Sequence, residues 1–195
     1  SYGDDTHPPS MILSLEPNSL ESSVSKKELT NEEKNRITVE LVLGMRYIHQ
    51  KKFMHRDLKP SNILLSKNKH VRISDFGLAR EENLEMSQSK GVGTLRFMAP
   101  ELFDDGENEV KYTSKVDVYS FGITLIFIVT GEYPRFIMKN VVNGVLPTLP
   151  SSIPKWVKEL INSCLSPTPN NRPTFAEIFE NMKENNYDMF SDSKG

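Results

Sequence analysis

From Val116 to Thr130 the sequence is apolar on almost every side of a helical wheel. Such a segment cannot lie on a surface. It demands neighbours all round it, so the reading places it as a helix in the middle of one domain, ended by Gly131. Its purest stretch, Ile123 to Val129, is too short to span a bilayer. The other elements must therefore supply a coat.

Several segments have the right pattern. A helix is expected from Thr30 or Asn31 to about Gln50, with an acidic start at Glu32 and Glu33 and a stripe of Ile37, Leu41, Met45 and Ile48. Pro154 suits a first helical turn, followed by the stripe Trp156, Val157, Leu160, Ile161 and Cys164. Thr174 and Glu177 form a capping-box pattern opening a last helix through Phe179 and Met182. Two β-rich triplets, Ile63-Leu64-Leu65 and Val71-Arg72-Ile73, flank a polar turn and read as a hairpin. Met11-Ile12-Leu13 reads as a short strand, Glu16 to Ser19 as a turn, and Arg80 to Gly93 as a long polar loop. The expected fold class is mainly α, with one small β-hairpin.

Composition narrows the function. The 195 residues suffice for one domain, and 37% hydrophobic with 26% charged residues is ordinary for a globule. The net charge of −2 argues against a nucleic-acid or anionic-membrane surface. The single cysteine, Cys164, falls on an apolar stripe and is expected to be a buried, inert thiol. There is no Asn-x-Ser/Thr acceptor and no signal-peptide core, so an intracellular, cytoplasmic setting is expected.

The chemistry lies in the loops. His55-Arg56-Asp57-Leu58-Lys59-Pro60-Ser61-Asn62 places a carboxylate, an amine and an amide in one stretch between a helix and the hairpin. Asp75-Phe76-Gly77 follows at the hairpin's far end. An antiparallel hairpin returns the chain to where it began, so Asp57, Asn62 and Asp75 should converge. Two carboxylates and an amide oxygen are hard donors of the kind Mg²⁺ and a polyphosphate require. Gly77 permits a sharp or left-handed turn there. A lone Asp-Phe-Gly would be ordinary turn chemistry; the two segments together are far more specific.

These residues resemble the catalytic loop and metal-binding motif of protein kinases. Ala99-Pro100-Glu101, Asp117 to Gly122 and Arg172-Pro173-Thr174 resemble later motifs of that family, in order, so the likeness runs from about residue 9 to 184. It implies a kinase C-terminal lobe over 21–187, with 1–20 a remnant of the last small-lobe strand and hinge and 188–195 a tail. It also implies roles. Asp57 would orient the substrate hydroxyl and accept its proton late, since a carboxylate near pKa ~3.9 is a poor base. Lys59 would neutralise the migrating phosphoryl group, and Thr94 would bridge Asp57 and Lys59. Asn62 and Asp75 would hold Mg²⁺, and Leu64 would lie under the adenine of ATP. His55 and Phe76 would stack in the core, Glu101 and Arg172 would pin the substrate platform, and Asp117 would accept hydrogen bonds from the catalytic-loop backbone.

Lys59 and Thr94 are the serine/threonine pattern of the family. Ser120-Phe121-Gly122, Cys164, Arg172 to Phe175 and Ile178 resemble its tyrosine-kinase-like group. Tyr119 and Leu165 stand where that group often has Trp, and Pro134 to Gly144 is shorter than usual. Arg56 is the side chain that a phosphorylated activation loop would engage, which makes Ser87 and Ser89 candidate sites for an upstream activating kinase. The glycine-rich loop, the strand lysine and the mobile-helix glutamate of the family are not found in this sequence. The 195 residues alone are therefore expected to transfer little or no phosphate without a small lobe as partner. A kinase-like interaction module without catalysis is the alternative. The implied partner is a protein with a Ser/Thr acceptor, with no nucleic acid and no membrane span.

Overall fold

Residues 16–75, 80–81, 95–103, 112–134 and 145–190 are described by the computed structural model. Among the described residues the α-helices and strands run in chain order: β1 (Asn18–Ser19), α1 (Leu20–Ser25), α2 (Asn31–Gln50), β2 (Phe53–Met54), β3 (Ile63–Leu65), β4 (Val71–Ile73), β5 (Arg80–Glu81), α3 (Lys115–Thr130), α4 (Lys155–Cys164) and α5 (Phe175–Glu184).

The central position expected for α3 is found. Every residue from Val116 to Ile128 is buried. Its polar members need internal partners, and Ser120 finds them: its hydroxyl donates to the carbonyls of Phe97 (2.8 Å) and Val116 (3.2 Å). Gly131 ends the helix at φ 78°, where a Cβ would be costly, and its N–H closes on the Phe127 carbonyl at 2.9 Å. The coat around α3 comes from the other three long helices: α4 packs on α3, and α5 packs on α2.

Two of these helices start at side-chain caps. Thr30 caps α2 and Thr174 caps α5, both as complete capping boxes with Glu33 and Glu177. Helix α2 buries Ile37, Leu41, Val42 and Met45, while α4 buries Trp156, Val157, Leu160, Ile161 and Cys164. Burial pushes the Cys164 thiol up to about 12, which makes it inert at neutral pH.

The expected hairpin β3–β4 forms, with Ile63 opposite Ile73 and Leu65 opposite Val71. Three other features differ from expectation. Asn18 and Ser19, read as a turn, form β1 and pair antiparallel with Leu65 and Leu64. Ser19 also caps α1, accepting from the Ser22 N–H at 3.2 Å. The Leu-Glu-Ser-Ser-Val-Ser sequence of α1 has little helical propensity, and burial of Leu20 and Val24 decides its conformation. Arg80 and Glu81, read as the start of a loop, pair with Met54 and Phe53.

The third correction concerns the stretch after Tyr187, read from the sequence as a tail. Met189 is only 1% exposed, its N–H donates to Asn35 Oδ1 at 3.2 Å, and the Trp156 indole donates to the Asp188 carbonyl at 3.2 Å. An apolar side chain and two polar partners tie the segment down through Phe190. The Met11–Leu13 strand and the shortened segment through Gly144, from 135 onward, lie outside the described residues. Among the described residues no helix is long and apolar enough to cross a membrane.

Candidate active site

The loop from His55 to Asn62 is held at both of its ends. At the first, the Asp117 carboxylate, fully buried in the opening turn of α3, accepts the backbone N–H of His55 at Oδ2 and of Arg56 at Oδ1, both at 2.8 Å. A third group reaches the same carboxylate: His49 Nε2, from the last turn of α2, lies 2.9 Å from Oδ2. Three such partners offset the cost of burying a carboxylate. The chain bends sharply here, with Arg56 at φ 68° in the left-handed region. A non-glycine residue there costs on the order of 1 kcal/mol and needs a fixed environment, which the Asp117 bond supplies.

At the second end the hairpin closes the loop. The Ser74 N–H and hydroxyl both donate to the Asn62 carbonyl at 2.9 Å. His55 ties the loop to the residue that follows β4. Its ring is fully buried, Nε2 meets the Ser74 carbonyl at 2.9 Å, and Nδ1 accepts the Asp57 N–H at 3.3 Å. Those partners require the proton on Nε2. Asp75 follows Ser74 directly, exposed, and at φ 62° it is a second left-handed residue. Thus the hairpin brings the stretch before Phe76 back against Asn62. Leu64 is half-buried between Ser19 of β1 and Arg72 of β4.

Asp57, Lys59 and Asn62 make one cluster. Asp57 Oδ2 accepts from Lys59 Nζ at 2.7 Å and from Asn62 Nδ2 at 2.8 Å, and Nδ2 also donates to the Asp57 carbonyl at 2.9 Å. Asp57 is 7% exposed. Its other oxygen, Oδ1, is buried and has no hydrogen-bond partner among the described residues. That oxygen is an acceptor with unmet capacity beside a fixed cation, the arrangement needed to orient an incoming hydroxyl. Because both amide hydrogens of Asn62 are spent on Asp57, its Oδ1 faces away from that carboxylate. Asn62 Oδ1 and the Asp75 carboxylate are the hard oxygen donors here that could hold a divalent cation, which takes one or two protein oxygens together with phosphates and water. The donor set fits Mg²⁺.

A second charged assembly lies below the segment that ends at Phe103. The Arg172 guanidinium is fully buried and grips Glu101 bidentately, Nη1 to Oε1 at 2.6 Å and Nη2 to Oε2 at 2.7 Å. Two further donors go to carbonyls, Nε to Ser166 (2.8 Å) and Nη1 to Lys115 (3.0 Å), and Lys115 Nζ returns a bond to the Arg172 carbonyl. Tyr119 lies under the guanidinium at 5.1 Å, and burial pushes its phenol up to about 12, so it stays neutral.

Phe76, Gly77, Ser87, Ser89 and Thr94 lie outside the described residues. The sequence reading missed His49. Its signal was faint: a histidine in the final helical turn before the loop, with nothing in its neighbours to separate it from a surface residue.

The comparisons with known proteins agree with this geometry. The protein kinase domain family model matches residues 6–182. A probable serine/threonine-protein kinase of Dictyostelium discoideum is 37% identical over 166 residues, covering 83% of this chain and 16% of the relative. The RGS domain-containing serine/threonine-protein kinase A of the same organism is 38% identical, covering 78% of this chain and 14% of its own length. Serine/threonine-protein kinase STY46 of Arabidopsis thaliana is 33% identical, covering 76% of this chain and 26% of its own length. The chain thus spans about a quarter or less of each of these relatives. Its match to the family model over most of its length, and its identity to these relatives, make this chain a member of the protein kinase domain family.

Proposed function

We propose that this chain is the catalytic lobe of a serine/threonine protein kinase, of the tyrosine-kinase-like group, acting on a Ser or Thr hydroxyl of a protein substrate. The observation that carries the reading is the Asp57 carboxylate, with Oδ2 locked by Lys59 and Asn62 and Oδ1 left as a buried acceptor. Mg-ATP would supply the phosphoryl group to be transferred. Asp57 orients the hydroxyl through Oδ1 and takes its proton as the oxygen loses it to bond formation. Lys59 spreads positive charge over the transfer region, and its place two residues after Asp57 is what supports serine/threonine rather than tyrosine as acceptor. Asn62 and Asp75 would hold Mg²⁺. Positioning of this kind supplies most of the catalysis in phosphoryl transfer. Phosphorylation of Ser89 or Ser87 by an upstream kinase, read by Arg56, belongs to the same reading; loss of activation in a Ser89→Ala variant would support it. An intracellular site of action follows from the need for ATP.

The test is a transfer assay with radiolabelled ATP, Mg²⁺ and a general protein substrate, run on the chain alone and on the chain joined behind the small lobe of a relative. The joined form is expected to label serine or threonine, and Asp57→Asn to abolish it. The chain alone is expected to bind nucleotide only with Mg²⁺, by calorimetry. Absence of both binding and transfer in either form would leave the non-catalytic interaction module as the better account.

A further inference from the structure

Arg96 occupies the 3-10 turn Leu95–Phe97, which Met98 separates from Ala99-Pro100-Glu101. The turn is anchored from the core side, by the Ser120 hydroxyl on the Phe97 carbonyl and by Phe97 itself, which is buried. Arg96 faces the other way and is exposed. Its guanidinium is not a loose surface charge. The guanidinium carbon sits 4.7 Å from the centre of the Tyr133 ring.

Tyr133 is an unusually well-fixed base for it. The ring stacks on Phe127 at 4.3 Å and 12°, and Phe97 meets it edge-on at 5.7 Å. With Phe127 on one face, the guanidinium takes the opposite one. The phenol hydroxyl donates to Glu21 Oε1 of α1 at 2.7 Å. Burial, then the Glu21 bond, push the Tyr133 phenol well above its ordinary value, so it remains a donor at any working pH. Glu21 is thereby engaged by the hydroxyl. Among the described residues no carboxylate forms an ion pair with Arg96.

A guanidinium stacked on an aromatic ring keeps its N–H edges available in a fixed plane. That fork matches the two oxygens of a carboxylate or phosphate. Its place is equally specific. The turn lies between Thr94 and Glu101, which Arg172 pins, and on the kinase reading this stretch belongs to the platform along which a peptide would run. We propose that Arg96 is a specificity-determining residue: it reads an anionic side chain, carboxylate or phosphate, flanking the Ser/Thr acceptor, with Tyr133 and Glu21 setting its direction. The proposal rests on the kinase reading for the location of the peptide.

The experiment is direct peptide binding to the 195-residue chain, without nucleotide, by fluorescence anisotropy. Four labelled serine peptides differ only in the flanking residues: Asp, phosphoserine, Ala or Lys. The Asp and phosphoserine peptides are expected to bind about tenfold more tightly than the Lys peptide at low salt, converging as salt rises. Arg96→Ala removes the preference and Arg96→Glu inverts it. Since Arg96 is exposed and only its contact with the Tyr133 ring is lost, both variants are expected to remain folded, with thermal midpoints within a few degrees of the parent's. Tyr133→Phe, which frees Glu21, weakens the preference. If phosphoserine gains over Asp, phosphate is the physiological source of the anion; if the two are equal, a carboxylate suffices. Equal binding of all four peptides, no binding of any, or a preference untouched by Arg96→Ala overturns the proposal. Because nucleotide is absent, these results are separate from the Asp57-dependent transfer that tests the kinase reading.

Discussion

His49 Nε2 lies 2.9 Å from Asp117 Oδ2, so the end of α2 and the start of α3 are joined at the same carboxylate that carries the backbone of His55 and Arg56. The Phe175 ring of α5 meets the imidazole edge-on at 5.0 Å. Three helices and the His55–Asn62 loop therefore share one polar node in an apolar core. An Asp117→Asn variant keeps the shape but exchanges an acceptor oxygen for a donor facing N–H groups. It is expected to cost about 3 kcal/mol in urea unfolding. His49→Ala removes one of three partners and leaves the backbone bonds, so about 1–2 kcal/mol is expected, with His49→Gln recovering part of it. Under the kinase reading, turnover falls more than substrate affinity in both, because the node positions Asp57 without touching substrate. Equal stability of Asp117→Asn and the parent would remove the node's structural importance.

Glu101 and Arg172 make the other buried charge assembly, and its geometry predicts a particular pattern of losses. Glu101→Gln or Arg172→Met alone strands a buried charge or its partners, at about 3–5 kcal/mol. The Arg172 variant should be the worse, since its guanidinium also satisfies the carbonyls of Ser166 and Lys115. The double variant is expected to cost less than the sum by at least about 1 kcal/mol. A double-mutant cycle on thermal or urea unfolding measures this, and strict additivity would mean that the two side chains are energetically independent.

What the sequence reveals and what it hides divides along physical lines. Helix α3 was legible because thirteen consecutive buried positions leave no polar face, and α4 and α5 because their stripes and the Thr174 cap are local signals. The β3–β4 hairpin was legible from two apolar triplets and a polar turn. In contrast, β1, α1 and β5 have two, six and two residues. Pieces that short have no periodicity, and their partners (Leu64 and Leu65 for β1, Phe53 and Met54 for β5) are far away in the chain. At the site, the order of Asp57, Lys59 and Asn62 pointed to chemistry, but the tie from His49 to Asp117 joins positions with no shared local pattern. Met189 was misread for the same reason: a polar C-terminal stretch looks frayed until Asn35 and Trp156 are seen beside it.

Asp57→Asn separates stability from chemistry. The substitution removes the charge facing Lys59 but retains an acceptor for it, and the acid's Oδ1 lacks a partner among the described residues in any case. Unfolding free energy should change by less than about 1 kcal/mol, in either direction. In the two-lobed form, transfer should fall by at least about 10²–10³-fold, the usual scale for losing a positioned base and the charge beside it. A melting curve and a transfer assay on one preparation measure both; a variant that keeps near-parental turnover would exclude Asp57 as the residue that orients the hydroxyl.

The two capping boxes predict an acid-sensitive contribution. Glu33 is held below its ordinary 4.5, first by the Lys69 ammonium and then by the Thr30 N–H. Glu177 is held below 4.5 by the Thr174 N–H and hydroxyl. A carboxylate with a depressed folded-state value stabilises the fold above the unfolded value, and that gain is lost as pH falls through the folded value. Both contributions are therefore full at pH 7 and decline below about pH 4.5. Thr30→Ala and Thr174→Ala should each cost about 1 kcal/mol at pH 7. Alanine keeps the backbone N–H that each carboxylate accepts, so the acid-sensitive part is read from Glu33→Gln and Glu177→Gln: their gap from the parent should narrow between pH 7 and pH 3, whereas a constant gap would show that the carboxylate charges take no part.

Two glycines inside helices predict opposite outcomes for the same substitution. At Gly122 a Cβ would stand 2.9 Å from Leu165 Cδ2 and 3.0 Å from Cys164 Cβ, where α4 closes on α3. The Cys164 Cβ is attached directly to the helix backbone, so α4 itself must shift. Overpacking of this kind costs about 1–3 kcal/mol, more than the ~1 kcal/mol helical gain of Ala over Gly. At Gly44 a Cβ would meet only Ile73 Cδ1 at 2.8 Å, with the next atom, Cγ1, at 3.8 Å. That methyl ends a rotatable side chain that is only half-buried, and it can turn aside. Gly44→Ala should therefore be neutral or stabilising by up to about 1 kcal/mol, through helix propensity and a less mobile unfolded chain. Gly122→Ala should lower the thermal midpoint and Gly44→Ala should hold or raise it; if both fell alike, the close packing of α3 against α4 would not be what requires glycine at 122.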